Sequence, residues 1–242
     1  MSNGINQQTP SGGCSRLSVA VVVYPGTNCE HDVVHALREA GAEPELVWHR
    51  EEDLSGFDGA VLPGGFAHGD YLRPGAIARF SPVMKAIEEL ADAGRPVLGI
   101  CNGFQVLCEV GLLPGALVEN RDLRFICKFI HVRVDSTDTV LTRAAEPGQV
   151  IRIPLNSYRG SYAFDATAAV TGRVAMRYCD EAGELGAEHN VNGSAESVAC
   201  LSNERGNVVG LMPHPERASD GALGSGDGKV LIESFVAALG DA

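Results

Sequence analysis

Three short segments carry the side chains that chemistry would need. In the first, Gly99, Ile100, Cys101, Asn102 and Gly103 set a thiol between two glycines, after an apolar run and before a helical pattern. A strand that turns sharply into a helix lifts one side chain above the sheet edge, and such a turn tolerates only small flanking residues. A thiol placed there also meets the positive end of the helix dipole, which favours the nucleophilic thiolate. Most cysteines are buried and structural, and the other six, at positions 14, 29, 108, 127, 179 and 200, read that way.

The second segment is Pro213, His214, Pro215, Glu216 and Arg217, after the apolar run 208–212. Two prolines stiffen the backbone, so His214 and Glu216 project from one side of it. A nucleophilic cysteine needs a base, and a carboxylate that holds the imidazole in one tautomer completes the set. Alone, a histidine two residues before a glutamate is equally well explained by a solvated loop; beside Cys101 it becomes a specific arrangement. The third segment, Leu62 to Phe66, holds Gly64 and Gly65 at another strand end. Adjacent glycines leave backbone N–H groups open to a ligand, as an oxyanion hole requires. Gly65 N–H and Asn102 N–H are therefore the expected donors. The Gly64–Gly65 peptide is also expected to turn over at little steric cost.

The surrounding pattern supplies elements to position these groups. Residues 17–24 are nearly all apolar and β-branched, as in a strand covered on both faces. A helix is expected over 30–40, with Val33, Val34, Leu37 and Ala40 on one face and Gly41 as its stop. Strands follow at 45–48, 59–62 and 96–100. Helices are expected over 74–93, with a break near Pro82, and over 102–110. The second half changes character: short strands are expected at 125–134, 150–155, 162–164, 173–178, 198–201 and 208–212, before a last helix at 228–239. The fold class that follows is α/β, with an open, mostly parallel sheet flanked by helices and additional short strands in the C-terminal half. One domain is expected over 16–242, behind a flexible tail at 1–15.

Composition narrows the function classes. The 242 residues carry 31 acidic and 19 basic side chains, a formal charge of −12, with neither a basic run nor a basic stripe. That is a poor match to nucleic acid or to an anionic membrane. An odd number of cysteines, seven, with no pair spaced Cys-x-x-Cys, argues against a disulfide framework or a zinc ribbon and points to a reducing cytoplasm. No apolar run approaches the length of a membrane span. No phosphate-binding loop is visible.

The segments around Cys101 and Gln105 (99–105) and around His214 and Glu216 (213–216) resemble the nucleophile and base motifs of class I (triad) glutamine amidotransferases. More narrowly, YPGTNC (24–29), PGGFAHGDYLR (63–73), GAIARF (75–80), GLLPGA (111–116), RFIC (124–127), NGS (192–194) and MPHPER (212–217) resemble the glutaminase subunits of phosphoribosylformylglycinamidine synthase. The resemblance implies that Cys101 attacks the side-chain amide of glutamine, giving a γ-glutamyl thioester and ammonia. It implies that His214, oriented by Glu216, moves the protons, and that Gln105 lines the glutamine pocket. It further implies a large synthetase subunit that uses ATP and magnesium to make formylglycinamidine ribonucleotide, and a small bridging subunit. No metal or cofactor is expected in this chain. One stretch departs from the family's pattern: residues 153–160 read IPLNSYRG, with Ser157 and Arg159 where the resemblance implies histidine and glutamate. The segment 183–189 is longer than that pattern. Two other readings use the same residues: a standalone cysteine hydrolase, and a non-catalytic module that has kept the fold.

Overall fold

The computed structural model describes residues 17–164 and 172–241; the tail expected over 1–15 lies outside them. In chain order the elements are β1 (Ser18–Val23), α1 (Glu30–Glu39), β2 (Glu43–Trp48), β3 (Gly59–Leu62), α2 (Val83–Asp92), β4 (Val97–Ile100) and α3 (Asn102–Val110). There follow β5 (Ala116–Val118), β6 (Ile126–Val134), β7 (Val150–Ser157), β8 (Ser161–Ala163), β9 (Gly172–Cys179), β10 (Val198–Asn203), β11 (Val208–Leu211) and α4 (Lys229–Leu239).

Nine strands form one sheet in the order β2-β1-β3-β4-β11-β10-β9-β6-β7. The first five run parallel; the last four continue the sheet antiparallel. The short strands of the C-terminal half thus mostly extend the parallel sheet, and only β5 and β8 pair apart from it. Residues of β3, β4 and β11 are buried throughout, which is why their sequences are continuous apolar runs. In β7, and in β6 from Phe129 onward, burial alternates, the period-two signature of a sheet with one open face. Right-handed crossovers from β1 to β2 and from β3 to β4 place α1 and α2 on opposite faces, because the two crossovers step in opposite senses along the sheet. Helix α1 also packs against α4, and both α2 and α3 contact the short 3-10 turn Ala78–Phe80.

The register brings the chemistry to one edge. Leu62 pairs with Gly99, and Gly210 and Leu211 pair with Gly99 and Ile100, so β3, β4 and β11 end level with one another. The loops carrying Gly65, Cys101 and His214 therefore leave the sheet side by side. This is the carboxyl edge, beside the point between β1 and β3 where strand order reverses and open α/β sheets bind ligands.

Two expectations need correction. The helix expected over 74–93 is α-helical only from Val83, preceded by turns and the 3-10 segment Ala78–Phe80. Pro82 caps the helix rather than breaking it: a proline lacks the N–H that a helix start leaves unpaired, so it belongs at that end. The three-residue strand β5, which pairs with β8, was not anticipated from residues 111–116 and their surroundings.

Candidate active site

Cys101 closes β4 and caps α3 with φ 51° and ψ −102°. A positive φ at a residue with a side chain costs on the order of 1–3 kcal/mol, and two contacts hold it there. Cys101 N–H donates to Leu211 O at 2.7 Å, and Gln105 N–H to Cys101 O at 3.2 Å. The small residue expected after the nucleophile has a visible cause: a Cβ on Gly103 would lie 2.0 Å from Leu62 O, because α3 passes directly over β3. The Cys101 thiol points toward Asn156 O, 3.6 Å away, at the end of β7.

His214 follows β11 and is held by its own N–H, which donates to Pro154 O at 2.8 Å. Glu216 sits in the 3-10 turn Pro215–Ala218. Its Oε1 lies 2.7 Å from His214 Nδ1, and both residues are almost fully buried. Burial opposes the imidazolium, but the Glu216 carboxylate and then the sulfurs of Cys101 and Cys29 outweigh it, holding His214 well above its ordinary pKa. The second ring nitrogen, Nε2, is buried and makes no hydrogen bond of normal geometry.

A cleft of about 560 Å³ opens above these groups, with Cys101, His214, Gly65 and Gln105 among its lining residues. Asn102 lies beneath it, buried in the first turn of α3. Its side chain links three walls: Oδ1 accepts from Ala67 N–H at 2.9 Å, while Nδ2 donates to Gln105 Oε1 at 2.8 Å and to Asp70 Oδ1 at 3.1 Å. Gln105 Nε2 in turn donates to Arg159 O at 2.6 Å. The loop at 156–160 is braced from below by Asn120, which bonds Ser157 O and Gly160 N–H, and by an ion pair between Arg159 and Glu119. Four of the six residues expected from the sequence, Gly65, Cys101, Gln105 and His214, thus line one cleft, with Asn102 and Glu216 buried behind it.

The Gly64–Gly65 turn is tighter than expected. Gly64 O accepts from the N–H groups of both Asn28 and Cys29, so turning that peptide over breaks two hydrogen bonds, at about 1 kcal/mol each. Gly65, at φ 151°, forms an isolated bridge with Thr27 whose hydrogen bonds run from Phe66 and Asn28; its own N–H takes no part in them.

Three cleft residues carry no functional reading in the sequence. Cys29, read there as structural, caps α1 beside His214 and receives a hydrogen bond from Arg217 Nη2 at 3.2 Å. Arg217 is anchored by Asp32 at 2.9 Å. Asp70 stands half-buried at the rim; burial pushes its carboxyl up to about 6, against the opposing hydrogen bond from Asn102 and the charge of Arg159. Nothing in the spacing of these residues ties them to Cys101, since each arrives on a different loop.

Comparison with known proteins agrees with this geometry. Residues 16–225 match the CobB/CobQ-like glutamine amidotransferase domain. The chain is 52% identical over 225 residues to phosphoribosylformylglycinamidine synthase subunit PurQ of Rubrobacter xylanophilus, covering 91% of this chain and 98% of that one. It is 53% identical over 226 residues to the subunit of the same name from Gloeobacter violaceus, covering 91% and 97%. Among solved structures it is similar to PurLQS from Thermotoga maritima, with a TM-score of 0.83 and 42% identity over 92% of this chain and 98% of that chain. The chain belongs to the CobB/CobQ-like glutamine amidotransferase family, within the group of phosphoribosylformylglycinamidine synthase subunits.

Proposed function

We propose that Cys101, His214 and Glu216 form the catalytic triad with which this chain, as the glutaminase subunit of phosphoribosylformylglycinamidine synthase, releases ammonia from glutamine. The observation that carries the assignment is Cys101, held at positive φ on a sheet-edge turn, beside the buried His214–Glu216 pair. Cys101 Sγ attacks the amide carbon and forms the C–S bond, and the carbonyl electrons move onto oxygen. Gly65 N–H and Asn102 N–H are the proposed donors to that oxyanion. As the C–N bond breaks, the imidazolium of His214 passes its proton to the departing ammonia, leaving a γ-glutamyl thioester. Water then adds to the thioester with His214 as the base, and glutamate leaves as the C–S bond breaks. Glu216 accepts from Nδ1 throughout, so Nε2 remains the working nitrogen. Gln105, tied to the loop at 156–160, contributes to the glutamine pocket.

Ammonia passes to the large synthetase subunit, and a small third subunit completes the assembly, which makes formylglycinamidine ribonucleotide in purine biosynthesis. ATP and magnesium belong, on this reading, to the synthetase subunit, and this chain requires no cofactor of its own. No helix among the described residues is long and apolar enough to cross a membrane; with six unpaired thiols among those residues, the cytoplasm is the compartment proposed. A glutamine-like diazoketone or chloroketone tests the triad directly. It is expected to alkylate Cys101 first among the thiols, with glutamine protecting. First labelling at Cys108 or Cys127, or no protection, would contradict the assignment.

A further inference from the structure

The mechanism makes no use of Cys29, yet Cys29 occupies the catalytic centre. It is 2% exposed, and its Sγ, a ring nitrogen of His214 and a carboxylate oxygen of Glu216 all lie within 4.8 Å of one another. Gly64 marks where these groups meet Cys101. A Cβ built there would sit 2.8 Å from His214 Cε1, 3.0 Å from Cys29 Sγ and 3.5 Å from Cys101 Cβ. Two thiols at the N-termini of two different helices thus face one imidazole. Two buried polar atoms in this cluster, His214 Nε2 and Glu216 Oε2, have no hydrogen-bond partner.

We propose that this cluster is a second kind of site, one that binds a thiophilic divalent cation of the zinc class through Cys29 Sγ, Cys101 Sγ and His214 Nε2, and that its occupation shuts off glutamine hydrolysis. Two sulfurs and an imidazole select soft cations over magnesium or calcium, which take oxygen ligands. A tetrahedral site with Zn–S of about 2.3 Å and Zn–N of about 2.0 Å brings its ligand atoms to roughly 3.6–3.8 Å from one another. Cys29 Sγ and the His214 ring nitrogen already lie within 4.8 Å, and Cys101, whose thiol points at Asn156 O, joins them by turning about its Cα–Cβ bond. The fourth position faces the cleft and takes water. Glu216 stays on Nδ1, the arrangement in which a carboxylate fixes the tautomer of a metal-bound histidine. Both cysteines bind as thiolates, their protons leaving to solvent, and His214 binds as the neutral imidazole. No bond to substrate forms and nothing is oxidised. Arg217 adds a positive charge beside Cys29, and Asp32, paired with Arg217, offsets it. The ion takes the lone pairs of nucleophile and base together, so it acts as an inhibitor and not as a cofactor.

The test reads binding directly and does not depend on turnover. Cobalt(II) titrated into the full-length chain is expected to give thiolate-to-cobalt charge-transfer absorption with one ion per chain. Cys29→Ala and Cys29→Ser, each checked for an unchanged melting curve, are expected to weaken the absorption and raise the dissociation constant at least about tenfold. In the reconstituted synthase, zinc is expected to inhibit glutamine hydrolysis reversibly by chelator. The Cys29 variants, each compared with its own metal-free rate, are expected to need at least about tenfold more zinc for half inhibition. Cobalt spectra and zinc sensitivity identical to those of the unmodified chain in both Cys29 variants would overturn the proposal, as would cobalt binding without any thiolate absorption. A chain that shows the cobalt spectrum yet hydrolyses no glutamine would leave the metal site standing and refute the glutaminase assignment instead.

Discussion

The two halves of the sheet divide the labour. In the parallel half, β2-β1-β3-β4-β11, the central strands are buried and the loops at one edge hold Cys101, His214, Glu216 and Gly65. In the antiparallel half, β7, and β6 from Phe129 onward, alternate buried with solvent-facing residues, and an exposed charge network joins Arg133, Asp135, Arg177 and Glu196. That half reaches the cleft through Phe125, just before β6, and through the end of β7 and the loop beyond it, where Asn156 O faces Cys101 and Arg159 O receives Gln105. The groups proposed to react are thus set by strands fixed on both faces, whereas one wall of the cleft comes from a region free to vary on one face. Ser157 and Arg159, where the sequence is expected to depart from the family's pattern, fall in that wall.

Substitutions in the two halves should separate sharply. The largest effect is expected in the parallel half: His214→Ala should lower glutamine turnover by at least about 10³-fold, and Glu216→Ala by less, because the base moves the proton while the carboxylate orients it. Glu216→Ala also strips a buried partner from His214, so a stability loss of roughly 3–5 kcal/mol is expected with it. Steady-state kinetics with melting curves check both. A folded Glu216 variant consistently slower than the His214 variant would reverse the roles.

An intermediate effect is expected at the boundary, where Asp70 stands over the cleft. Its carboxyl is raised from 3.8 to about 6, so the folded state holds a proton that the unfolded state has released. The sign follows from linkage: the stabilisation is complete below about pH 4 and is lost as pH rises through about 6. Asp70→Asn should flatten the fall in melting temperature between those values, modestly, because Asp70 is only half-buried. An unchanged profile would remove the proposed desolvation.

The sequence made the parallel half legible and much of the site with it. Continuous apolar runs announce strands covered on both faces, and the flanking glycines of Cys101 announce the turn that α3 forces by crossing β3 at Gly103. What stayed hidden depends on loops meeting in space. Cys29 reaches His214 only because β1 lies next to β3, and residues 24–29 then bridge to Gly65. The loop at 67–72 is set by positive φ at His68, Asp70 and Leu72, conformations that none of these residues signals on its own. Helix α2 was overextended because Pro82 sits within an apolar helical pattern, where one residue can serve as a break or as a cap. Tertiary packing decides which.

The smallest effect belongs to the antiparallel half. Arg177 bonds Asp135 at 2.7 Å and reaches Glu196 at 3.4 Å on a solvent-facing surface. Arg177→Ala should cost about 1 kcal/mol or less and leave turnover unchanged. Denaturant titration and kinetics together measure this, and a large loss of turnover would show that the antiparallel half does more than wall the cleft.

The central claim is that Cys101 makes ammonia and the synthetase subunit uses it. Cys101→Ala, assembled with the other subunits, should be assayed for formylglycinamidine ribonucleotide synthesis first with glutamine and then with an ammonium salt. At least about a 10³-fold loss is expected with glutamine, and a rate close to that of the unmodified assembly with ammonium. Loss of both activities in an assembly that still forms, or retention of both, would contradict it.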